Sequence, residues 1–360
     1  MANAALREVA AVFLRLGLTA FGGPAAHIAL MEAELVRKRQ WLTHEEFLDL
    51  LGAVNLLPGP NSTEMAIHLG LRRAGWPGLL VAGACFILPA AVLTLGLAWA
   101  YVTFGQLPQA VGVLACIKPV IVAVVAQALW QLLPRVARTL PLRLLGLAAL
   151  VATALGADEL AVLVAAGLLA VALRQPRPNA LLALPLAPPV FKVFLVFAKI
   201  GAVLFGSGYV LLAFLRHDLV ARTHWLTEAQ LLDAVAAGQF TPGPVFTTAT
   251  FIGYLLGGVP AAIAATLGIF LPAFVLVALS ARLVPMLRRS PLAGAFLDGV
   301  NVASVALMAA VAWQLARVAV VDAPSALLAA GALALLVRFR MNSAWLVLAG
   351  AAVGLLRHGL

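Results

Sequence analysis

The sequence predicts an all-α integral membrane protein made of two inverted-topology repeats, with about ten transmembrane helices and two re-entrant helical hairpins at Pro-Gly-Pro turns. Three observations carry that prediction. First, the 360 residues are 64% hydrophobic and 11% charged, with a mean hydropathy of +1.06, where soluble proteins carry roughly 25% charged residues. Second, apolar stretches exceed the roughly 20 residues that a spanning helix needs, and no alternating strand pattern appears, so helices must satisfy the backbone. Third, one phrase occurs twice at an offset of 184 residues. It reads Phe21-Gly22-Gly23-Pro24, Trp41-Leu42-Thr43 and Pro58-Gly59-Pro60, then Phe205-Gly206-Ser207-Gly208, Trp225-Leu226-Thr227 and Pro242-Gly243-Pro244. Helix breakers inside apolar sequence, in matching places of two halves, point to a transporter's binding site.

The register extends along the chain. Phe13 matches Phe197, Arg15 matches Lys199, Asp49 matches Asp233 and Thr63 matches Thr247; at an offset of 183, Trp130-Gln131 matches Trp313-Gln314. The units are 1–180 and 181–360, joined by the proline-rich stretch 174–189. Each begins with a long segment broken at its glycine cluster (9–31; 190–215). Arg7 before this apolar run imitates a leader peptide, but the internal copy at 193–205 marks it as retained structure. A mildly amphipathic helix follows (44–56; 228–240), then the Pro-Gly-Pro turn and a short helix (61–73; 245–257). Four apolar segments complete each unit: 76–103, 108–133, 142–157 and 159–173, then 260–284, 293–317, 323–337 and 343–356.

The helices flanking Pro-Gly-Pro are each about 20 Å long, too short to cross about 30 Å of hydrocarbon, so they are read as a re-entrant hairpin. Five spans per unit then force the second unit to insert upside down. The basic residues fit that topology. Arg37-Lys38-Arg39, Arg72-Arg73, Arg282 and Arg338 fall in the cytoplasm, Asp158-Glu159 and Asp322 outside, with Arg216 and Arg222 the exception. The net charge of +10 follows from these loops and implies no nucleic-acid partner. Cys85 and Cys116 lie apart in apolar runs, without metal or redox spacing. The polar inventory of each break then suggests a site.

A helix that starts at membrane depth presents unpaired N–H groups and a partial positive charge, a ready anion site. Gly22, Gly23, Pro58, Gly59, Asn61, Ser62 and Thr63 supply it in the first unit, and Gly206, Ser207, Gly243, Thr247 and Thr248 in the second. The same hydroxyls can instead only cap the helices. Asn55 and Gln239, just before the tips, are candidate amide ligands. Arg15 and Lys199 are intramembrane cations, either salt-bridged to Asp49 and Asp233 or attracting an anionic substrate. Lys118, opposite Asn301 in the repeat, is read as a third anion contact, its alternative being an interfacial snorkel. His27 and Glu64, absent from the second copy, are candidates for proton coupling or ordinary polar lining. Glu32 and Glu34 are read as solvated beside Arg37-Lys38-Arg39, and Trp41 and Trp225 as interfacial anchors.

At these residues the chain resembles the chromate transporter family, of the long-chain two-domain type. The resemblance rests on Phe21-Gly22-Gly23-Pro24 with His27, Leu57-Pro58-Gly59-Pro60 with Thr63, both Trp-Leu-Thr phrases and Thr241-Pro242-Gly243-Pro244. It covers essentially the whole chain. It implies proton-motive-force-driven export of chromate across the inner (cytoplasmic) membrane, giving chromate resistance, with sulfate competing. The second copy departs at Ser207, Gly208, Leu211 and Thr248, which implies unequal halves. Sulfate or another oxyanion, in uptake or through a channel, is the alternative, because both tetrahedral dianions suit the same donors. A membrane-embedded lipid-carrier phosphatase is a remote third, since the tips lack its acidic pair and arginine. No enzyme motif, nucleotide loop, cofactor or metal site is expected. A homodimer is compatible with the sequence.

Overall fold

The computed structural model describes residues 2–21, 23–105, 107–155, 157, 159–172, 189–204, 210–288, 291–339, 341 and 343–358, and among these the chain is helical with no strand. The first unit comprises α1 (Ala2–Thr19), α2 (Gly23–Met31) with a π-helical turn (Glu32–Lys38), α3 (His44–Val54), α4 (Asn61–Phe104), α5 (Pro108–Val136), α6 (Leu140–Ala154) and α7 (Glu159–Ala172). The second repeats the order: α8 (Pro189–Val203), α9 (Leu211–Leu215) with a π-helical turn (Arg216–Arg222), α10 (Glu228–Phe240), a 3-10 turn (Val245–Thr247), α11 (Thr248–Arg288), α12 (Pro291–Ala319), α13 (Ala323–Phe339) and α14 (Ser343–His358).

The repeated Trp-Leu-Thr phrase is a helix start. Thr43 and Thr227 are N-caps whose hydroxyls accept from the N–H groups of Glu46 and Gln230, while those side chains accept from the capping residues' own N–H groups. Just upstream, Gln40 and His224 take φ of 51° and 53°, so the same left-handed turn delivers each chain to its cap.

Both long helices are broken. α4 turns at Gly75 (φ 63°, ψ −153°) and α11 at Gly258 (φ 64°, ψ −155°), positions that an L side chain adopts only with strain. The limbs fold back on one another. A Cβ at Gly70 would meet Gly78 O at 2.3 Å, one at Gly253 would meet Ala261 O at 2.4 Å, and Thr250 and Thr266 hydroxyls lie 2.8 Å apart. The short helices expected at 61–73 and 245–257 are the first limbs. α1 lies on α4 through Gly17, and α8 on α11 through Gly201 and Gly268, with backbone approaches only glycine allows. α12 is central, its Gly299 against Ala166 O of α7, and α14 seats Gly354 against Gly112 O of α5.

The surface carries the apolar side chains. Trp76, Leu80, Leu88, Trp130, Trp313 and Leu327 are exposed, the inverse of a soluble fold. Among the described residues, Asn61–Phe104, Ala110–Pro134, Val245–Ser280 and Gly294–Ala319 are long and apolar enough to cross a membrane, and four further apolar helices are shorter. The chain is a multi-pass, all-α membrane protein.

One expectation is corrected. The segments 9–31 and 190–215, each read as a single broken span, fold back so that their later part lies beside the earlier one. Arg15 pairs with Glu34 and Lys199 with Asp218, each pair nineteen residues apart, where an unbroken helix would separate them by about 28 Å. Arg39 and Trp41 likewise return to Glu8, at 3.0 and 3.2 Å. Glycine and proline signal that a helix stops but not the angle at which the chain resumes. The odd span count therefore does not follow from these segments, and the linker at 174–189 lies almost wholly outside the described residues.

The Gly201 crossing makes a stability prediction. Gly201→Ala puts a methyl 2.3 Å from Ile269 O and 3.0 Å from its carbonyl carbon, which overpacking places at about 1–3 kcal/mol of destabilisation. Gly96→Ala, with open space around its Cβ, leaves stability unchanged. Thermal melting of the two purified variants checks this.

Candidate functional site

The two Pro-Gly-Pro tips meet at the centre of the molecule, and each is tied to the opposite half. Gly59 N–H donates to Leu204 O at 2.7 Å, at the end of α8, and Gly243 N–H donates to Ala20 O at 2.8 Å, at the end of α1. Both glycines have positive φ, 138° and 88°. A Cβ on Gly59 would sit 2.5 Å from Glu64 Oε1, and one on Gly243 would sit 2.9 Å from Ala90 Cβ. These two N–H groups, expected to face a ligand, close the interface between the halves.

Around the first tip, His27 Nε2 donates to the same Ala20 O at 3.1 Å, leaving Nδ1 3.2 Å from the Ser62 hydroxyl, which donates to it in that tautomer. His27 sits edge-on to Phe86. Glu64 is fully buried in the first turn of α4, with neither carboxylate oxygen hydrogen-bonded; Thr63 Oγ1 and His68 Nε2 are also buried without a hydrogen-bond partner. A charged carboxylate at Glu64 has no hydrogen bond to compensate it, only the partial positive charge of the α4 N-terminus. Asn61 Nδ2 donates to Asn55 Oδ1 at 2.8 Å, so these two amides latch the tip.

The second tip is quieter. The Thr247 and Thr248 hydroxyls donate to Pro244 O and Val245 O, three residues back, so they are taken up by the local backbone without capping it. Thr94 Oγ1 of α4 stands 3.2 Å from Thr247 Oγ1 and 3.4 Å from Thr241 Oγ1, making a buried hydroxyl cluster across the halves. Gln239 is buried beside this tip. Pro58 precedes the Gly59 turn, and Gly23 (φ 79°) opens α2. Gly22, Gly206 and Ser207 lie outside the described residues.

The cations are not where the sequence placed them. Arg15 pairs with Glu34, not Asp49, and Glu34 is also held by Arg39 at 2.7 Å and Lys38 at 3.6 Å. Lys199 pairs with Asp218 at 2.9 Å, not Asp233, and Arg222 joins at 3.3 Å. Glu34 is buried rather than solvated, Asp218 is 2% exposed, and Asp49 is exposed. The physical reason is the reversal, which brings each π-helical turn back beside the helix before it. Glu34 and Asp218 stand at the 184-residue offset, so the missed signal was an acid retained in both copies. Lys118 stands 3.3 Å from Asp233 Oδ1, an ion pair without hydrogen-bond geometry, and the Tyr101 hydroxyl donates to Asp233 Oδ2 at 3.0 Å.

Arg72 pairs with Glu46, and Arg73 with Glu8 at 2.7 Å while its guanidinium lies over the Trp41 ring, so the start of α3 lies beside the end of the first limb of α4, next to Gly75. Thr43 N–H and then Arg72 hold the Glu46 carboxyl below the usual range. α10 meets the second limb of α4 near its far end, through Tyr101 and Asp233.

A polytopic helical protein whose buried polar groups gather at broken helices in its centre is built as a transporter. A profile of the chromate transporter family matches residues 7–172 and again 191–355, and the chain belongs to that family. It is 35% identical to the chromate transport protein of Cupriavidus metallidurans, over 99% of this chain and 94% of that protein. It is 33% identical to the chromate transport protein of Pseudomonas aeruginosa over 88% and 83% of the two chains, and 29% identical to a probable chromate transport protein of Synechococcus elongatus over 94% and 91%. These relatives are transport proteins, not enzymes. No solved structure matches the chain.

The ion pairs predict an order of stability. Lys199→Met leaves Asp218 with Arg222 alone and destabilises by about 3 kcal/mol, the low end for breaking a buried pair because Lys199 is one-third exposed. Arg15→Met costs about 1 kcal/mol, since Glu34 keeps Arg39 and Lys38. Adding Asp218→Asn to Lys199→Met recovers most of the loss. Melting of the purified variants tests the series.

Proposed function

We propose that this chain is a secondary transporter that exports chromate from the cytoplasm across the inner membrane, driven by the proton gradient. The reciprocal hydrogen bonds from Gly59 to Leu204 and from Gly243 to Ala20 are the observation that carries this reading. They bring four helix ends from both halves to one point, with hydroxyls and the first turn of α4 around it. The names of the relatives supply chromate as the substrate.

In this reading the halves are inverted repeats, 1–180 and 181–360, and the Pro-Gly-Pro hairpins are re-entrant from opposite faces. Support comes from where α3 and α10 meet α4: Glu46 pairs with Arg72 just before the Gly75 break, and Asp233 accepts from Tyr101 near the far end of the second limb. The outward Arg216 and Arg222 remain the exception to the positive-inside pattern, each held by an acid, Glu228 and Asp218.

The substrate dianion is held between the tips by the N-terminal turn of α4, Ser62, Thr63 and the Thr94, Thr241 and Thr247 hydroxyls. Glu64 carries the coupling proton: neutral while buried and unpartnered, it exchanges the proton when the site opens. His27 positions Ser62. Arg15 and Lys199 act as structural ion pairs rather than as ligands.

The test is chromate flux in inverted membrane vesicles with sulfate as competitor. Wild-type protein takes up chromate when a proton gradient is imposed and loses most of that uptake when it collapses. Glu64→Gln, of the same shape, keeps its melting temperature but loses at least about tenfold of the gradient-driven rate. Absence of chromate flux with sulfate moving instead overturns the substrate, and gradient-driven flux by Glu64→Gln overturns the coupling residue.

A further inference from the structure

The two halves differ most where Lys118 meets Asp233. At the equivalent positions the other half carries Asn301 and the exposed Asp49, and Val284 replaces Tyr101, so this triad exists once. It lines an open cavity of about 540 Å³ of mixed polar and apolar walls together with Gly105, Asp322 and Ser325, at the Gly105 end of α4. Asp233 is fixed: its side chain is 4% exposed, and Tyr101 donates to Oδ2 at 3.0 Å. Lys118 is not. Its side chain is 20% exposed, and its ammonium stands 3.3 Å from Oδ1 without hydrogen-bond geometry and has three donors to offer.

We propose that Lys118 is a second oxyanion site, on the outward side of the central one, and that Asp233 is a tethered carboxylate that competes with the anion for it. The ligand is a tetrahedral dianion, chromate or sulfate, and the assignment rests on the anion-export reading. A dianion leaving the tips draws the ammonium from Asp233 by Coulomb attraction in a partly dehydrated cavity. When the anion departs, the ammonium falls back on the carboxylate, so the site never holds a bare charge. Asp322 sits at the same cavity, where its Oδ1 accepts from Ser325 N–H at 2.8 Å. The ion pair thus offers the leaving anion a relay point that needs no cofactor and no large movement.

The measurement is equilibrium binding of sulfate and of chromate to the purified full-length protein, by calorimetry at fixed ionic strength. Asp233→Asn removes the competitor and tightens the dissociation constant of this site by about tenfold. Lys118→Gln abolishes the site, and the double variant binds like Lys118→Gln. Where Asp233→Asn does not accumulate, Tyr101→Phe decides. Stripping the hydroxyl from Oδ2 concentrates the carboxylate's charge on Lys118 and weakens binding about threefold, an effect that vanishes in the Lys118→Gln background. Unchanged or weaker binding by folded Asp233→Asn, or wild-type binding by Lys118→Gln, overturns the proposal and leaves the triad a structural ion pair. Wild-type protein that binds anion with this pattern but shows no gradient-driven flux fails the transport reading alone.

Discussion

A helix that ends inside an apolar medium leaves its last carbonyls without donors, and each such group costs free energy. α1 and α8 both end this way, and each end carbonyl is satisfied by the other half. Ala20 O accepts from Gly243 N–H, and Leu204 O from Gly59 N–H. Only glycine makes this contact, because the backbone needs positive φ and a methyl would press on Glu64 at one tip and Ala90 at the other. His27, from the same half, adds a second donor to Ala20 O, whereas the backbone donor of each helix end comes from the other half. The glycine-mediated packing of α1 on α4 and of α8 on α11 brings both helix ends to the depth at which the exchange occurs.

The charges follow from the same breaks. Once α1 and α8 stop at membrane depth and the chain turns back, the returning π-helical turns lie beside them, and Arg15 and Lys199 find Glu34 and Asp218. A π turn sets each acid one residue out of α-helical register, and in both halves the acid is flanked four residues later by a second cation, Lys38 or Arg222. Cations that looked from composition like substrate ligands are thereby neutralised within their own hairpins. Lys118 differs because its acid arrives from the opposite half, on α10, so the pair is sensitive to how the halves sit against each other.

Much of this architecture was legible in the sequence because duplication prints it twice. The repeat put helix starts at 44 and 228, the tips at Gly59 and Gly243, and limb boundaries near 73 and 257, which fall at Gly75 and Gly258; the capping boxes at Thr43 and Thr227 came only with the structure. The reversal after α1 was not legible. Periodicity reports which face of a helix is apolar, and a glycine reports that the helix ends; neither reports the direction of the next segment. The assignments of Arg15 to Asp49 and Lys199 to Asp233 failed for that reason. Glu34 and Asp218 carried the needed signal, because an acid kept in two copies of an apolar repeat must have a partner in both.

What duplication did not copy is the chemistry. The first tip holds His27, Glu64 and His68; the second places Leu211, Thr248 and Ile252 at those positions. The first tip has buried polar atoms without partners, while the hydroxyls of the second are spent on its own backbone. The reverse holds away from the tips, where Lys118, Tyr101 and Asp233 form a triad with no counterpart. A symmetric scaffold can expose its centre to either side at similar cost, which by itself gives no direction. Direction has to come from groups that respond differently on the two sides. Here Glu64 lies at a tip held by contacts between the halves and Lys118 pairs with an acid of the other half, so a shift of one half against the other would change the surroundings of both.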